Sequence, residues 1–164
     1  MNTTSSNLYY TLLLSQLPNI GNITARKLIT ECGSAEAVMK EKKEKLILIG
    51  GVGFKVVESI RNISAATYKK VEQEIDFIKQ HNITTYIVTE PNYPKRLRHC
   101  IDAPILLFGK GAIDFDVPKV LAIVGTRKAD NYGLSTTKQI VADLLQLDVL
   151  IVSGLAYGID TVAH

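Results

Sequence analysis

The sequence predicts an α/β protein in two parts: a small all-helical N-terminal region, then a truncated parallel-sheet region. Three observations carry this. In the first 64 residues apolar side chains recur at three-and-four spacing between Gly-containing turns, the pattern of short amphipathic helices. Thr84 to Thr89 is a β-branched run suited to a strand. Val120 to Val124 and Val149 to Val152 are continuous apolar runs flanking a helical pattern, all within about 33 residues, as in a βαβ unit of a sheet covered on both faces.

The elements follow in order. Leu12, Leu13 and Leu17, then Ala25, Leu28 and Ile29, then Val38 and Met39, then Val56, Val57 and Ile60 mark successive helices. Two turns resemble one another, Leu17-Pro18-Asn19-Ile20-Gly21 and Ile49-Gly50-Gly51-Val52-Gly53, with closing glycines 32 residues apart. Each enters an amphipathic helix, so they form a short internal repeat. Between them, Lys40 to Lys45 mixes both charge signs and reads as a solvated helix face. Tyr68, Val71, Ile75 and Ile78 predict a helix ending near His81-Asn82. Glu90 to Pro104 holds three of the five prolines and reads as an ordered loop, and Ile105 to Phe108 as a strand closed by Gly109-Lys110-Gly111. In the βαβ unit, Tyr132 to Leu147 is the helix, with Leu134, Val141, Leu144 and Leu145 on one face.

The composition is that of a folded, soluble chain: 164 residues, 46% hydrophobic and 21% charged, with a mean hydropathy of +0.12. No apolar run approaches the roughly 20 residues that span a bilayer, and the polar start does not resemble a signal peptide. Cys32 and Cys100 belong to no Cys/His cluster, so no metal site is expected; they read as small buried hydrophobes in a reducing cytoplasm. The net charge of +3 divides into 8 basic and 5 acidic residues through residue 64, and 11 of each beyond it. An anion site would therefore be local.

Chemistry is expected in the loops beyond the carboxyl ends of the two strands, where such sheets bind ligands. These are Gly125-Thr126-Arg127-Lys128-Ala129-Asp130-Asn131-Tyr132-Gly133 and Ser153-Gly154-Leu155-Ala156-Tyr157-Gly158-Ile159-Asp160. The crossover should lay them side by side. Each offers glycine N-H groups, a hydroxyl in Thr126 or Ser153, and a following helix N-terminus, and Arg127 adds a charged fork. Asp130 or Asn131 is expected to cap the helix. Neither GxGxxG nor GxxxxGK[ST] occurs, and Ser153 stands where a ribose-binding acid would be, so dinucleotide and triphosphate chemistry lose support. His81, His99 and His164 form no catalytic set. A phosphodiester backbone is the anion left, one that needs binding and no reaction. The hairpin turns point the same way less strongly, since they either present helix N-H groups to phosphate or only pack the helical region. Asn19 suits the left-handed position of its turn.

Taken in order, Tyr93-Pro94 with Leu97, Asp102-Ala103-Pro104-Ile105-Leu106-Leu107-Phe108-Gly109-Lys110-Gly111, Ala122-Ile123-Val124-Gly125-Thr126-Arg127, and Ser153 to Asp160 with Ala163-His164 resemble the DNA-processing protein A (DprA/Smf) family. The resemblance implies a SAM-like or helix-hairpin-helix domain over residues 1–64 and the N-terminal part of a Rossmann-like domain over 65–164. It implies a non-enzymatic, cofactor-free, homodimeric binder of single-stranded DNA in natural transformation. Such a protein protects incoming DNA and helps load the recombinase RecA. The residues expected at DNA are Gly125, Thr126, Arg127, Lys128, Tyr132, Gly133, Ser153, Gly154, Tyr157 and Gly158. Family members commonly carry Arg where this chain has Tyr157, which would then either stack a base or pack on the next helix.

Other residues keep two readings. Arg127 either meets phosphate or pairs with Asp130 or Asp160, and Lys95 to His99 is either a DNA patch or a solvated loop. Asp160 is expected to orient the loop backbone. The alternative functions are a nucleotide-processing enzyme of the phosphoribohydrolase type, whose PGGxGTxxE-like segment is not matched here, and an interaction module confined to the hairpins. The length reads as a helical domain plus the opening part of a larger sheet domain.

Overall fold

The computed structural model describes residues 3–112 and 114–164. The chain is α/β and divides into two compact units, Met1–Ile113 and Asp114–His164.

The first unit is built around α1 (Thr3–Ser15). Thr11, Leu12, Leu13 and Leu14 are all buried, so this helix hides more than one stripe and has a core on two sides. Leu14 and the following Leu17 join a cluster with α2 (Asn22–Cys32), α3 (Ala35–Lys40), α4 (Lys43–Leu46) and α5 (Phe54–Arg61). Leu12 and Leu13 join a second cluster with Val71 and Ile78 of α6 (Ala65–Gln80), Ile87 of β1 (Thr84–Ile87) and Leu106. The expected boundary at residue 64 is therefore not where packing breaks. Helix α1 serves both cores, and Ile105 lies in the first cluster.

The repeated turns take matching backbone forms. Asn19 (φ 63°) and Gly51 (φ 84°) occupy the left-handed region, Ile20 and Val52 plug the core, and Gly21 and Gly53 are the extended N-caps of α2 and α5. In Lys40 to Lys45 the helix breaks at Glu41-Lys42. Lys40 pairs with Glu36 and Lys45 with Glu41, which holds both carboxyls below their ordinary range through the lysine hydrogen bonds.

Strand β1 pairs antiparallel with β2 (Leu106–Gly109), Thr84 opposite Gly109 and Ile87 opposite Leu106, in a sheet of its own. Neither strand joins the parallel sheet. The connecting loop contains one helical turn, α7 (Lys95–Arg98), started by Pro94, whose fixed φ suits a helix entrance. Tyr93 is fully buried, and its hydroxyl donates to the Pro104 carbonyl at 2.7 Å. Burial pushes this phenol up, against the opposing pull of Arg26 and Arg98. Arg98 donates to the carbonyls of Glu90 and Tyr93, and Arg26 to those of Arg98 and Cys100. Two of the cations near the expected basic patch thus hold the loop together. Cys100 is exposed rather than buried because it lies in the surface turn after α7; Cys32 is half-buried, and desolvation pushes its thiol up.

The second unit is the expected βαβ. Strand β3 (Val120–Ala122) pairs parallel with β4 (Leu150–Val152), with Val120 opposite Leu150, and α8 (Asn131–Leu145) crosses between them. A short α9 (Ile159–Ala163) follows. The predicted cover on both sheet faces is not seen within this unit, where Val120 and Leu121 are about two-fifths exposed. One long helix cannot cover both faces of a strand pair. Leu145 is exposed, and the most buried side chain of α8 is Thr137, whose hydroxyl bonds back to the Gly133 carbonyl at 2.8 Å.

Candidate functional site

The two loops lie side by side in the second unit, joined by two devices. The first is a glycine wedge. Gly158 has φ 84° and ψ −126°, and a Cβ there would lie 2.2 Å from the Thr126 carbonyl oxygen and 2.9 Å from the Arg127 Cα. The Ile159 N-H donates to the same Thr126 oxygen at 3.2 Å. A Cβ on Gly125 would in turn meet the Ile159 side chain at 2.6 Å. Glycine is required at both positions for close approach, and at Gly158 for its positive φ as well.

The second device is Asp160, which is 4% exposed. Its Oδ1 accepts from the Gly125 N-H at 3.3 Å, and its Oδ2 accepts from Gly154 at 3.0 Å and Ala156 at 3.4 Å. One carboxylate therefore ties both loops, which goes beyond the expected role of Asp160 in orienting the loop backbone. The bonding also revises an expectation. The N-H groups of Gly125 and Gly154, expected to face an outside anion, surround the protein's own carboxylate. Likewise the α8 N-terminus is capped by Asp130, whose Oδ1 accepts from Gly133 at 2.8 Å. Thr126 Oγ1 accepts from the Lys128 N-H at 3.2 Å, and Ser153 Oγ lies 2.7 Å from His164 Nε2 while accepting from Leu155 at 3.1 Å.

What faces outward is therefore mainly side chain. Arg127 and Lys128 are exposed, and among the described residues neither pairs with a carboxylate. This disposes of the ion pair of Arg127 with Asp130 or Asp160. The unit has only four basic residues against six acidic, and Arg127 and Lys128 are the two that lie in these loops. Around them stand Val124 (72% exposed), Tyr132 (77%), Leu155 (72%) and Tyr157 (83%). Tyr157 does not pack on α9. Leu155 has φ 50°, unusual for a bulky residue and costing about 1 to 3 kcal/mol. Val124, Leu155 and Ile159 are members of this arrangement outside the expected site residues; for Ile159 the run Gly158-Ile159-Asp160, an apolar side chain between a glycine and a carboxylate, was the available signal. Among the described residues no group of His, Cys, Asp and Glu is placed to hold a metal ion, and no helix is long and apolar enough to cross a membrane.

The family model described as DNA recombination-mediator protein A matches residues 84–164. The chain is 41% identical over 81 residues to DNA processing protein DprA of Streptococcus pneumoniae, a match covering 49% of this chain and 28% of the relative. It is 30% identical over 160 residues to Protein Smf of Synechocystis sp., covering 94% of this chain and 39% of the relative. The X-ray structure of DNA processing protein A from Streptococcus pneumoniae superposes with a TM-score of 0.58 at 25% identity, over 96% of this chain and 52% of that one. The chain thus spans less than two-fifths of the length of these two curated relatives.

Proposed function

The chain belongs to the DNA-processing protein A (DprA/Smf) family, and on that premise we propose that it binds single-stranded DNA through the joined loops at Gly125–Gly133 and Ser153–Asp160. In this reading it acts in the cytoplasm as a non-enzymatic recombination mediator of natural transformation, protecting the incoming strand and helping to load RecA, with homodimers as the working form. The observation that carries it is the interlocked pair of loops with Arg127 and Lys128 exposed on the first. The names of the relatives, DNA processing protein and recombination mediator, support the same substrate class. No observation favours the nucleotide-processing alternative.

Two cations give a definite electrostatic expectation. Each single-strand phosphate contact contributes a slope of about −0.7 in log affinity against log salt, so these loops supply about −1.4. Arg127→Ala should weaken binding of an oligo-dT to the full chain and make the slope shallower by about 0.7. Fluorescence anisotropy across a salt series reads both quantities. A variant with wild-type affinity and slope would remove Arg127 from the interface.

A further inference from the structure

We propose that the joined loops capture a single strand chiefly by its bases, on Tyr157 and Leu155 of the second loop and Tyr132 of the first, rather than by cradling its phosphates. The inference rests on the DNA-binding reading and specifies which part of the polymer is recognised. Three observations lead to it. Four of the loop amides, those of Gly125, Gly154 and Ala156 on Asp160 and of Gly133 on Asp130, are engaged by the protein's own carboxylates. Within the two loops only Arg127 and Lys128 are basic. The two loops also expose large aromatic and apolar side chains, Tyr157 at 83%, Tyr132 at 77% and Leu155 at 72%.

Tyr157 is also held in place. On one side, Ala156 has its N-H bonded to Asp160 and its carbonyl accepting from Thr161 Oγ1 at 2.7 Å. On the other, Gly158 is wedged against Thr126 and Arg127. The backbone carrying this ring is thus fixed beside the cation-bearing loop. An exposed aromatic carried on a fixed backbone next to positive charge is an arrangement on which single-strand binders stack bases, with little sequence preference because every base has a π-face. Duplex DNA keeps its bases stacked inside and would use only the two cations.

The test compares an oligo-dT with an abasic oligonucleotide of the same length and charge, bound to the full chain. Wild type should bind the abasic strand roughly 5- to 150-fold more weakly for each stacked base lost, taking about 1 to 3 kcal/mol per base and 1.4 kcal/mol per tenfold. Tyr157→Ala should weaken oligo-dT binding by a factor in that range, reduce the dT-to-abasic ratio and leave the salt slope unchanged; Tyr157→Phe should restore the ratio. Equal affinity for the two strands, with Arg127→Ala still weakening both, overturns base capture and leaves the DNA-binding reading standing. Binding of neither strand overturns both. If Tyr157→Ala disrupts self-association in sedimentation while the ratio is unchanged, the ring belongs to a contact between copies and the proposal fails.

Discussion

Gly158→Ala is expected to separate the two loops, and with them to abolish the proposed single-stranded DNA binding, while leaving the first unit folded. The added methyl would sit 2.2 Å from the Thr126 carbonyl oxygen and 2.8 Å from the Arg127 carbonyl carbon. These are backbone atoms that no rotamer change can move aside. The residue would also be strained at φ 84°, a cost of about 1 to 3 kcal/mol before any clash is counted. Overpacking adds about 1 to 3 kcal/mol where the neighbours cannot yield, so the total loss is about 2 to 6 kcal/mol. The cheapest escape is to release Ile159 and Gly158 from the first loop, which also exposes Asp160. Amide hydrogen exchange should accelerate at Gly125, Gly154 and Ala156 and stay unchanged at α2 and α5. A variant with wild-type protection at those amides would show that the wedge is not what joins the loops.

Asp160→Ala acts on the same junction from the other device. The carboxylate is buried and accepts from three backbone N-H groups, two in the second loop and one in the first. Hydrogen bonds to a charged group contribute about 1.5 to 3 kcal/mol each, although the values are not additive within one network. Removing the shared acceptor leaves all three donors without a partner, and we expect a loss of about 3 to 5 kcal/mol from the second unit. Asp160→Asn keeps the shape and one carbonyl oxygen, so it should lose less than the alanine variant. Urea unfolding followed by exchange at the second unit measures the difference. Equal stability of wild type and Asp160→Ala would mean that these bonds do not hold the loops.

The βαβ unit was legible because its signals are local. Two apolar runs and a helical pattern lie within about 33 residues, and a single long helix in that span admits one right-handed crossover. The hairpin turns were legible for the same reason: Asn19 and Gly51 hold the same left-handed position 32 residues apart. The boundary at residue 64 followed from a change of pattern, and packing does not respect that change. Leu12, Leu13 and Leu14 are adjacent in sequence yet feed two different clusters. The direction of β2 was open because the connection from Val88 to Ile105 is long enough for either a crossover or a return; the Arg26, Arg98 and Tyr93 bonds fold it back as a return.

At the candidate site, the glycine-rich loops after the strands lie side by side as the pattern implied, but which groups their amides meet was not legible. Such loops offer amides, and nothing local says which carboxylate takes them. Asp160 is 35 residues from Gly125, so the pairing appears only when the strands are side by side. Once it is seen, Arg127, Lys128 and the exposed rings remain among the exposed groups of the two loops.

The central account, that single-stranded DNA is met by the joined loops of the second unit, is tested most directly by amide chemical-shift mapping of the full chain with an oligo-dT. The shifts should concentrate at Thr126, Arg127, Lys128, Tyr132 and Leu155 to Gly158, with the hairpin turns at 17–21 and 49–53 unchanged. Shifts confined to those turns, with the second unit silent, would contradict it.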